Sequence, residues 1–292
     1  MDKYLEACVK SAMAGGKAIS DYKPEEAETK NDRELEYHAV VTSADFRSQD
    51  AILKKLSIYD EESMLITEEN VKNPSFASKL IKSSNLSRIS NSRVYIIDEL
   101  DGSSPYNKGH PEWSISIGYI DRLEHKAGAV FAPHIKNGML FYASKGEGAF
   151  IKAKKEMHVS KTSDLNKAYV IFGPDCFLKK YPTHNKLLIE IGDVARTVNG
   201  IGSCALGLGY VASGMSDALV QPLHFPWDWA AGKVLVEEAG GKMIFYEMEN
   251  SNIRSIRKLE PKHYNPDKRM VGFVAGNGKI ADEIMNILLD IK

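Results

Sequence analysis

Apolar residues recur along this chain either at the helical period of about 3.6 residues or at the strand period of about 2. The first half begins with the helical period. That spacing predicts a packed helix over residues 2–20 and an amphipathic helix from Phe46 to Leu56. Short apolar segments rich in β-branched and aromatic residues follow, and they predict strands at 64–67, 94–97, 113–120, 128–131 and 139–142. The first half is therefore predicted to be helices followed by a mainly antiparallel sheet.

The second half alternates between strand-like and helix-like segments. Strands are predicted at 169–172, 197–198, 217–220, 242–246 and 271–275, and helices at 185–192, 202–212, 226–239 and 280–291. Such alternation is typical of an α/β lobe. We therefore expect two lobes, over residues 1–155 and 156–292. Three polar stretches, 21–38, 71–93 and 249–268, are predicted to lie at the surface.

Composition excludes several classes of protein. The chain has 292 residues with a net charge of −1, so no basic excess favours nucleic acid as a partner. No apolar run reaches membrane-spanning length, and the first residues lack the apolar core of a secretory signal. The three cysteines are scattered and odd in number, which argues against a disulfide framework. We expect a cytoplasmic protein that binds neither membrane nor nucleic acid.

The stretch from Val94 to Ser104 combines a buried strand with a cluster of polar groups. Asp98 and Asp101 follow the apolar residues, and Gly102 and two serines come next. Paired carboxylates suit a hard cation such as Mg²⁺, and the free N–H groups of a glycine turn suit an anion beside it. An ordinary Asp-Gly turn after a strand is the alternative.

Two further segments end in acids. Glu68 and Glu69 follow the strand at 64–67, and Asp228 lies at a helix start, where acids are also common for reasons of solvation and helix dipole. Together these residues offer oxygen ligands without histidine or cysteine, a set that favours Mg²⁺ over Zn²⁺. Asp45 also lies near a helix start and has two interpretations, a helix cap or a member of this site.

Four motifs occur in a fixed order over residues 40–245: Val41-Thr42-x-Ala44-Asp45, Thr67-Glu68-Glu69, Ile97-Asp98-x-x-Asp101-Gly102-Ser103-Ser104 and Pro226-Trp227-Asp228-x-Ala230-Ala231-Gly232. Gly202-Ser203-x-Ala205 lies between the last two. In this order they resemble the signature of the inositol monophosphatase family. The resemblance implies a layered αβαβα sugar-phosphatase fold, with an N-terminal antiparallel-sheet lobe and a C-terminal α/β lobe. It also implies Mg²⁺-dependent, Li⁺-sensitive hydrolysis of phosphate monoesters.

The resemblance also implies a site that holds two or three Mg²⁺ ions. One ion is expected at Glu68, Asp98 and the carbonyl of Leu100. A second is expected at Asp98, Asp101 and Asp228. Glu68 is further expected to help a weaker third site through water.

Catalytic and substrate roles are implied in the same way. The N–H groups of Gly102 and Ser103 would bind phosphate, while Asp45 and Ser103 would orient and help deprotonate the attacking water, with Glu68 as a further catalytic residue. Expected substrate contacts are Gly102, Ser103, Ser104, Gly202, Ser203, Gln221 and Asp228.

The chain departs from the family pattern at three positions. Ser103 replaces the commoner threonine and keeps the hydroxyl. Glu99 stands where the family usually has proline, and it adds a negative charge that faces either the metals or the solvent. Gln221 stands where the inositol enzymes have a glutamate that contacts a substrate hydroxyl, which weakens the case for inositol itself. His224, close to Asp228 in the sequence, is interpreted as a packing or rim residue rather than a ligand.

Three functions compete on this basis. The leading hypothesis is a phosphatase of small sugar or cyclitol monophosphates of the inositol monophosphatase type. The same chemistry also fits 3′-phosphoadenosine 5′-phosphate, fructose 1,6-bisphosphate or histidinol phosphate. In a third hypothesis of another class, the fold serves as a regulatory binding module. A homodimer is expected from the resemblance alone.

Overall fold

The computed structural model describes residues 2–22, 27–29, 40–152, 155–249 and 252–291. The α-helices are α1 Lys3–Ile19, α2 Ser43–Leu56, α3 Pro74–Ala77, α4 Ser103–Asn107, α5 Pro182–Val194, α6 Cys204–Ala212, α7 Pro226–Glu238 and α8 Gly278–Asp290. The strands are β1 Ala27–Thr29, β2 Val40–Thr42, β3 Met64–Thr67, β4 Arg93–Asp101, β5 Ser114–Asp121, β6 Glu124–Ala132, β7 Met139–Ser144, β8 Ala149–Ile151, β9 Lys155–Glu156, β10 Tyr169–Phe172, β11 Thr197–Gly200, β12 Ala218–His224, β13 Lys242–Glu249, β14 Asn252–Ser255 and β15 Val271–Gly276.

The first sheet has seven strands in the order β3-β4-β5-β6-β7-β8-β9. Only β3 and β4 are parallel in this sheet, and each later strand is antiparallel to the strand before it. The predicted mainly antiparallel sheet is therefore confirmed.

The second sheet has six strands in the order β11-β10-β12-β15-β13-β14. β10 runs parallel to β11 and β12, whereas β13, β14 and β15 are joined by antiparallel pairs. The sheet is thus mixed, because β15 lies between β12 and β13 and pairs antiparallel with both.

Three buried apolar clusters show how the layers stack. One joins α1 and α2 to the outer face of the first sheet, and another joins α5 and α8 to the outer face of the second. Between the two sheets, α6 and α7 contribute to a third cluster that contains side chains of both sheets. This is the αβαβα layering that was expected, and the fold prediction is confirmed.

Helix α7 lies directly on the first sheet because two glycines leave room for its backbone. Gly118 of β5 and Gly128 of β6 are neighbours in register. A Cβ atom at Gly118 would lie 2.9 Å from the Ala231 nitrogen, and one at Gly128 would lie 2.6 Å from the Ala231 oxygen. The Ser116 hydroxyl adds a bond of 3.1 Å to the Trp227 carbonyl. These contacts fix the start of α7 beside the end of β4.

The prediction that three polar stretches lie at the surface is partly wrong for two of them. In 249–268, β14 extends the second sheet, and Tyr264 is fully buried with its hydroxyl 2.8 Å from His125 Nε2. In 71–93, Ile81 and Ile89 belong to the central core. A few apolar side chains in a polar stretch are enough to anchor it when a large neighbouring surface is available.

The prediction for 21–38 falls largely outside the described residues, although β1 within it pairs with β2. The division into 1–155 and 156–292 stays a prediction. The strands of the first sheet end at Glu156 and those of the second begin at Tyr169. None of the helices within the described ranges has both the length and the apolar character needed to cross a bilayer.

Candidate metal and phosphate site

Three carboxylates from strand β4 and helix α7 lie close together. Ligand atoms of Asp98, Asp101 and Asp228 all lie within 4.8 Å of one another. Asp98 and Asp101 are three residues apart and would point to opposite faces of a regular strand. The pairing of β4 with β5 shifts register between them, and such an irregularity breaks the alternation. Both carboxylates therefore reach the side on which α7 presents Asp228.

Asp101 is held by the N-terminus of α6. Its carboxylate accepts the backbone N–H groups of Cys204 at 3.1 Å and Ala205 at 2.7 Å. The hydroxyls of Ser203 and Ser114 donate to the same carboxylate. The unpaired N–H groups at the start of a helix favour a bound anion. At the start of α6 that anion is the Asp101 carboxylate.

Ser203 was expected to contact substrate, which stays a prediction, and in the structure it contacts Asp101. Its side chain is fully buried, and its hydroxyl serves Asp101 and accepts the Leu206 N–H group at 3.3 Å as the cap of α6. Ser203 thus lies behind a predicted metal ligand.

Asp228 is oriented by its own helix and by a histidine. Its Oδ2 accepts the Phe225 N–H at 2.9 Å and lies 2.8 Å from His224 Nδ1. The other ring nitrogen of His224 is 3.7 Å from Asp175, which pairs with Arg269. The interpretation of His224 as a packing residue was therefore incomplete, because the imidazole contacts a site carboxylate. Its closeness to Asp228 in the sequence was the available signal.

The electrostatics of the cluster favour a bound cation. Burial, followed by the charges of Glu68, Asp101 and Asp228, raises the pKa of Asp98 well above its usual range. Burial and the charge of Asp228 raise the pKa of Asp101 to about 7, although its hydrogen bonds oppose the shift. Carboxylates that crowd together in a buried place repel one another, and a divalent cation relieves that repulsion. The donor set is all oxygen, so the residues present fit Mg²⁺.

Glu68 and Leu100 both act on Asp98, and their binding of a metal ion stays a prediction. Glu68 is partly buried. Among the neighbouring carboxylates, Glu68 has the largest effect in raising the pKa of Asp98. The Leu100 N–H group donates to Asp98 Oδ1 at 3.1 Å. The Leu100 carbonyl accepts the Ser103 hydroxyl at 3.0 Å, which places that oxygen beside the predicted catalytic serine.

The turn after β4 brings a hydroxyl to a carboxylate. Gly102 has a φ of 94°, and a Cβ atom there would lie 2.9 Å from the Glu112 carbonyl, so only glycine fits. The Ser103 hydroxyl is 3.4 Å from Asp45 Oδ1 and bonds the Leu100 carbonyl more closely. Ser104, the next residue, is exposed.

Asp45 caps a helix and also contacts Ser103, while its catalytic role stays a prediction. Its Oδ2 accepts the Thr42 N–H at 2.7 Å and the Thr42 hydroxyl at 2.9 Å, which forms a capping box at the start of α2. Its other oxygen faces Ser103. The hydrogen bonds that cap α2 therefore also hold the Asp45 carboxylate in the orientation that faces Ser103.

The remaining expected contacts are of two kinds. Gly202 is partly buried and lies over the glycine turn, because a Cβ atom at Gly102 would be 3.2 Å from its carbonyl. Gln221 is 1% exposed and packs against Gly173, where a Cβ atom would lie 1.6 Å from Gln221 Oε1. Contact between Gln221 and a substrate stays a prediction.

Glu99 faces neither the metals nor the solvent, so both expected alternatives are wrong. Its side chain is fully buried on the opposite face of β4 from Asp98, where it accepts the Gln49 side-chain amide at 2.8 Å. Burial and then the charge of Glu69 raise the pKa of Glu99 well above its usual range.

Comparison with known proteins places this chain in a family. The model of the inositol monophosphatase family matches residues 1–283. Inositol monophosphatase 2 of Saccharomyces cerevisiae is 35% identical over 169 residues, which cover 54% of this chain and 57% of the yeast protein. The match thus spans little more than half of the yeast protein.

Two further comparisons extend over more of the chain. A fructose-1,6-bisphosphatase/inositol-1-monophosphatase of Thermotoga maritima is 29% identical over 205 residues, covering 68% of this chain and 69% of that protein. The crystal structure of the extragenic suppressor protein suhB from Bartonella henselae superposes with a TM-score of 0.78 at 23% identity, covering 99% of both chains. The last likeness concerns the fold alone. With the family model matching nearly the whole sequence, this chain belongs to the inositol monophosphatase family.

Proposed function

We propose that this protein hydrolyses small phosphate monoesters in the presence of Mg²⁺, with an inositol monophosphate as the first substrate to test. One observation carries the proposal: carboxylates from β4 and α7 meet within 4.8 Å beside a glycine turn whose serine faces a capped aspartate. Asp98, Asp101, Asp228 and Glu68 would hold the ions. When bound, Mg²⁺ would supply charge that offsets the repulsion between the phosphate and its attacking nucleophile.

The chain's own groups would handle the phosphate and the proton. The N–H groups of Gly102 and Ser103 would bind phosphate oxygens at the turn. The Ser103 hydroxyl would orient the attacking water, and Asp45 would accept a proton through that hydroxyl. The capping box at Thr42 supports this role because it holds Asp45 in one orientation.

The choice of substrate rests on the relatives. One is named an inositol monophosphatase and another is named for both fructose 1,6-bisphosphate and inositol 1-phosphate. Fructose 1,6-bisphosphate is therefore the first alternative, and 3′-phosphoadenosine 5′-phosphate and histidinol phosphate are retained from the sequence motifs. Phosphate release from inositol 1-phosphate and from these three, each with Mg²⁺ and with or without Li⁺, separates the candidates. Release from none of them would contradict the proposal and favour a binding module.

Asp98→Asn tests the site itself. The substitution keeps the shape of the side chain but removes the negative charge shared by both expected ion positions. We expect phosphate release to fall by more than about a hundredfold, as for the loss of a principal electrostatic group. The assay is the rate of phosphate release at saturating Mg²⁺.

Asp121→Asn is the matched control, since this aspartate lies at the opposite end of β5 from Ser114 and the site. Its rate should equal that of the unmodified protein. Retained activity in Asp98→Asn would reject the assignment of the site.

We also propose a homodimer and predict that light scattering at micromolar protein will give twice the mass of one chain. A monomer at all concentrations would contradict this without affecting the assignment of the site.

A further inference from the structure

Alternation along β4 divides its side chains between two cores. Val94 and Ile96 belong to the central core between the sheets, whereas Tyr95 and Ile97 belong to the core under α1 and α2. Asp98 continues the first series and Glu99 the second. Glu99 therefore enters the layer of α2, on the face of the sheet opposite the acidic cluster.

Glu99 meets α2 and the turn that follows β3 there. Gln49 of α2 uses one nitrogen, Nε2, for two bonds: 2.8 Å to Glu99 Oε1 and 3.0 Å to the Glu69 carbonyl. The Glu69 N–H group points to Glu99 Oε2 at 3.4 Å. Both backbone polar groups of Glu69 are thus held by this pair of side chains.

The same turn carries Glu68. Its N–H group bonds the Ile97 carbonyl at 3.2 Å, so the turn is tied to β4 directly before Asp98. The Thr67 hydroxyl donates to the Glu69 carbonyl at 2.8 Å. Residues on both sides of Glu68 are therefore fixed by hydrogen bonds.

A fully buried carboxyl group is costly to the folded state unless hydrogen bonds compensate it. Glu99 has such bonds, and they lead to the backbone of one short turn. That turn presents the carboxylate whose charge acts most strongly on Asp98. A fixed backbone gives a metal ligand one orientation before the ion arrives.

We propose that Glu99 and Gln49 form a brace that positions Glu68 for metal binding. The inference rests on the proposed function, because it concerns the affinity of the site for Mg²⁺. Glu99 and Gln49 touch neither the cluster nor the substrate turn in the described contacts, so both are positioning residues. The brace also gives the glutamate at this position a role that proline, without an acceptor side chain, would not have.

The experiment is titration calorimetry of Mg²⁺ into metal-free protein, which reads binding independently of catalysis. Glu99→Ala and Gln49→Ala should each weaken Mg²⁺ binding by about tenfold, the lower range for residues that support metal ligands. The double variant should be no weaker than the stronger single variant, because both substitutions break one brace.

Conservative and neighbouring variants serve as matched controls. Glu99→Gln keeps an acceptor for Gln49 and should bind Mg²⁺ within about threefold of the unmodified protein, since only the longer bond to Glu69 is lost. Ser48→Ala changes a buried residue adjacent to Gln49 and should bind normally. If Glu99→Ala does not fold, as judged by its thermal transition, Gln49→Ala and Glu99→Gln carry the test.

The outcomes separate two kinds of failure. Unchanged Mg²⁺ affinity in Gln49→Ala and Glu99→Ala, with only a lower melting temperature, would overturn the brace and leave the proposed function standing. Additive losses in the double variant would also overturn it. Absence of Mg²⁺ binding by the unmodified protein would instead reject the proposed function.

Discussion

Several neighbouring groups together orient a single carboxylate of the site, and Asp101 is the clearest example. Its carboxylate accepts two backbone N–H groups of α6 and the hydroxyls of Ser114 and Ser203. These donors leave the acid in one orientation although repulsion from Asp228 would displace it. A buried carboxylate with such donors is a better ligand than a free one because its orientation is already fixed.

The Ser203→Ala substitution tests this support. It removes one hydroxyl from Asp101 and the side-chain cap of α6, but leaves the two backbone donors in place. We expect Mg²⁺ affinity to fall by about tenfold and the free energy of unfolding to fall by about 1 kcal/mol. Calorimetric titration and urea unfolding measure the two effects.

Ser203→Thr keeps the hydroxyl and the capping ability, so it should restore most of the affinity if the added methyl group is accommodated. If instead Ser203→Ala raised the KM for substrate without changing Mg²⁺ affinity, the residue would be a substrate contact, as the sequence first indicated.

At the scale of elements, the position of α7 decides whether Asp228 reaches the other acids. The helix lies against Gly118 and Gly128, which stand side by side on neighbouring strands. On its other side, a Cβ atom at Gly232 would lie 2.2 Å from the Leu208 side chain of α6. The absence of a side chain at these glycines thus sets the distance between the helix and the sheet.

We predict that Gly128→Ala will destabilise the protein by about 1–3 kcal/mol, the usual cost of overpacking a dense core. The new methyl group would meet backbone atoms of Ala231, which cannot rotate away. Because α7 must shift, Mg²⁺ affinity should fall as well. Chemical denaturation and calorimetry are the measurements.

Gly192→Ala is the matched control, since no atom lies within 4 Å of a Cβ atom there and the residue is inside α5. It should stabilise the protein by up to about 1 kcal/mol through helix propensity. A neutral Gly128→Ala variant would show that α7 does not rest on the sheet as closely as described.

At the scale of the whole molecule, the acidic cluster opposes the closure of the two sheets around it. Asp98 and Asp101 come from the first sheet, and Asp228 comes from the helix layer that the second sheet also covers. In metal-free protein these charges are buried together. The fold therefore includes a local repulsion that a proton or a cation can remove.

This repulsion predicts how the stability of metal-free protein depends on pH. The pKa of Asp101 is about 7 in the folded state, above its usual value of 3.8. Folded protein thus binds more protons than unfolded protein between these values, so stability falls as pH rises from about 4 to 7. We expect a lower melting temperature at pH 7.5 than at pH 5.5 in EDTA.

Addition of Mg²⁺ should reverse the trend, because the cation competes with protons for the same oxygens. The gain in melting temperature on adding Mg²⁺ should be larger at pH 7.5 than at pH 5.5. Equal gains at both pH values, or a metal-free protein that is most stable at pH 7.5, would contradict the assignment of a repulsive cluster.

Sequence alone determined most of the elements and the identity of the acids. Helical and alternating periods reflect burial of one face, and that physical cause acts locally, so α2, β4, β5 and α7 were predictable. The order of the motifs was sufficient to indicate the family. The alternation of side chains in β4 also predicts the face on which Glu99 lies. Glu99 follows Tyr95 and Ile97 at intervals of two residues, so it shares their face of the strand.

Tertiary structure decided what each side chain does. Ser203 supports Asp101, His224 contacts Asp228, and Gln49 holds Glu99, and each depends on a neighbour that another element supplies. Hydrogen bonds have a range of about 3 Å, so their partners follow from the packing of layers. Local periodicity specifies which face of an element is buried, but only the assembled layers specify which atoms meet there.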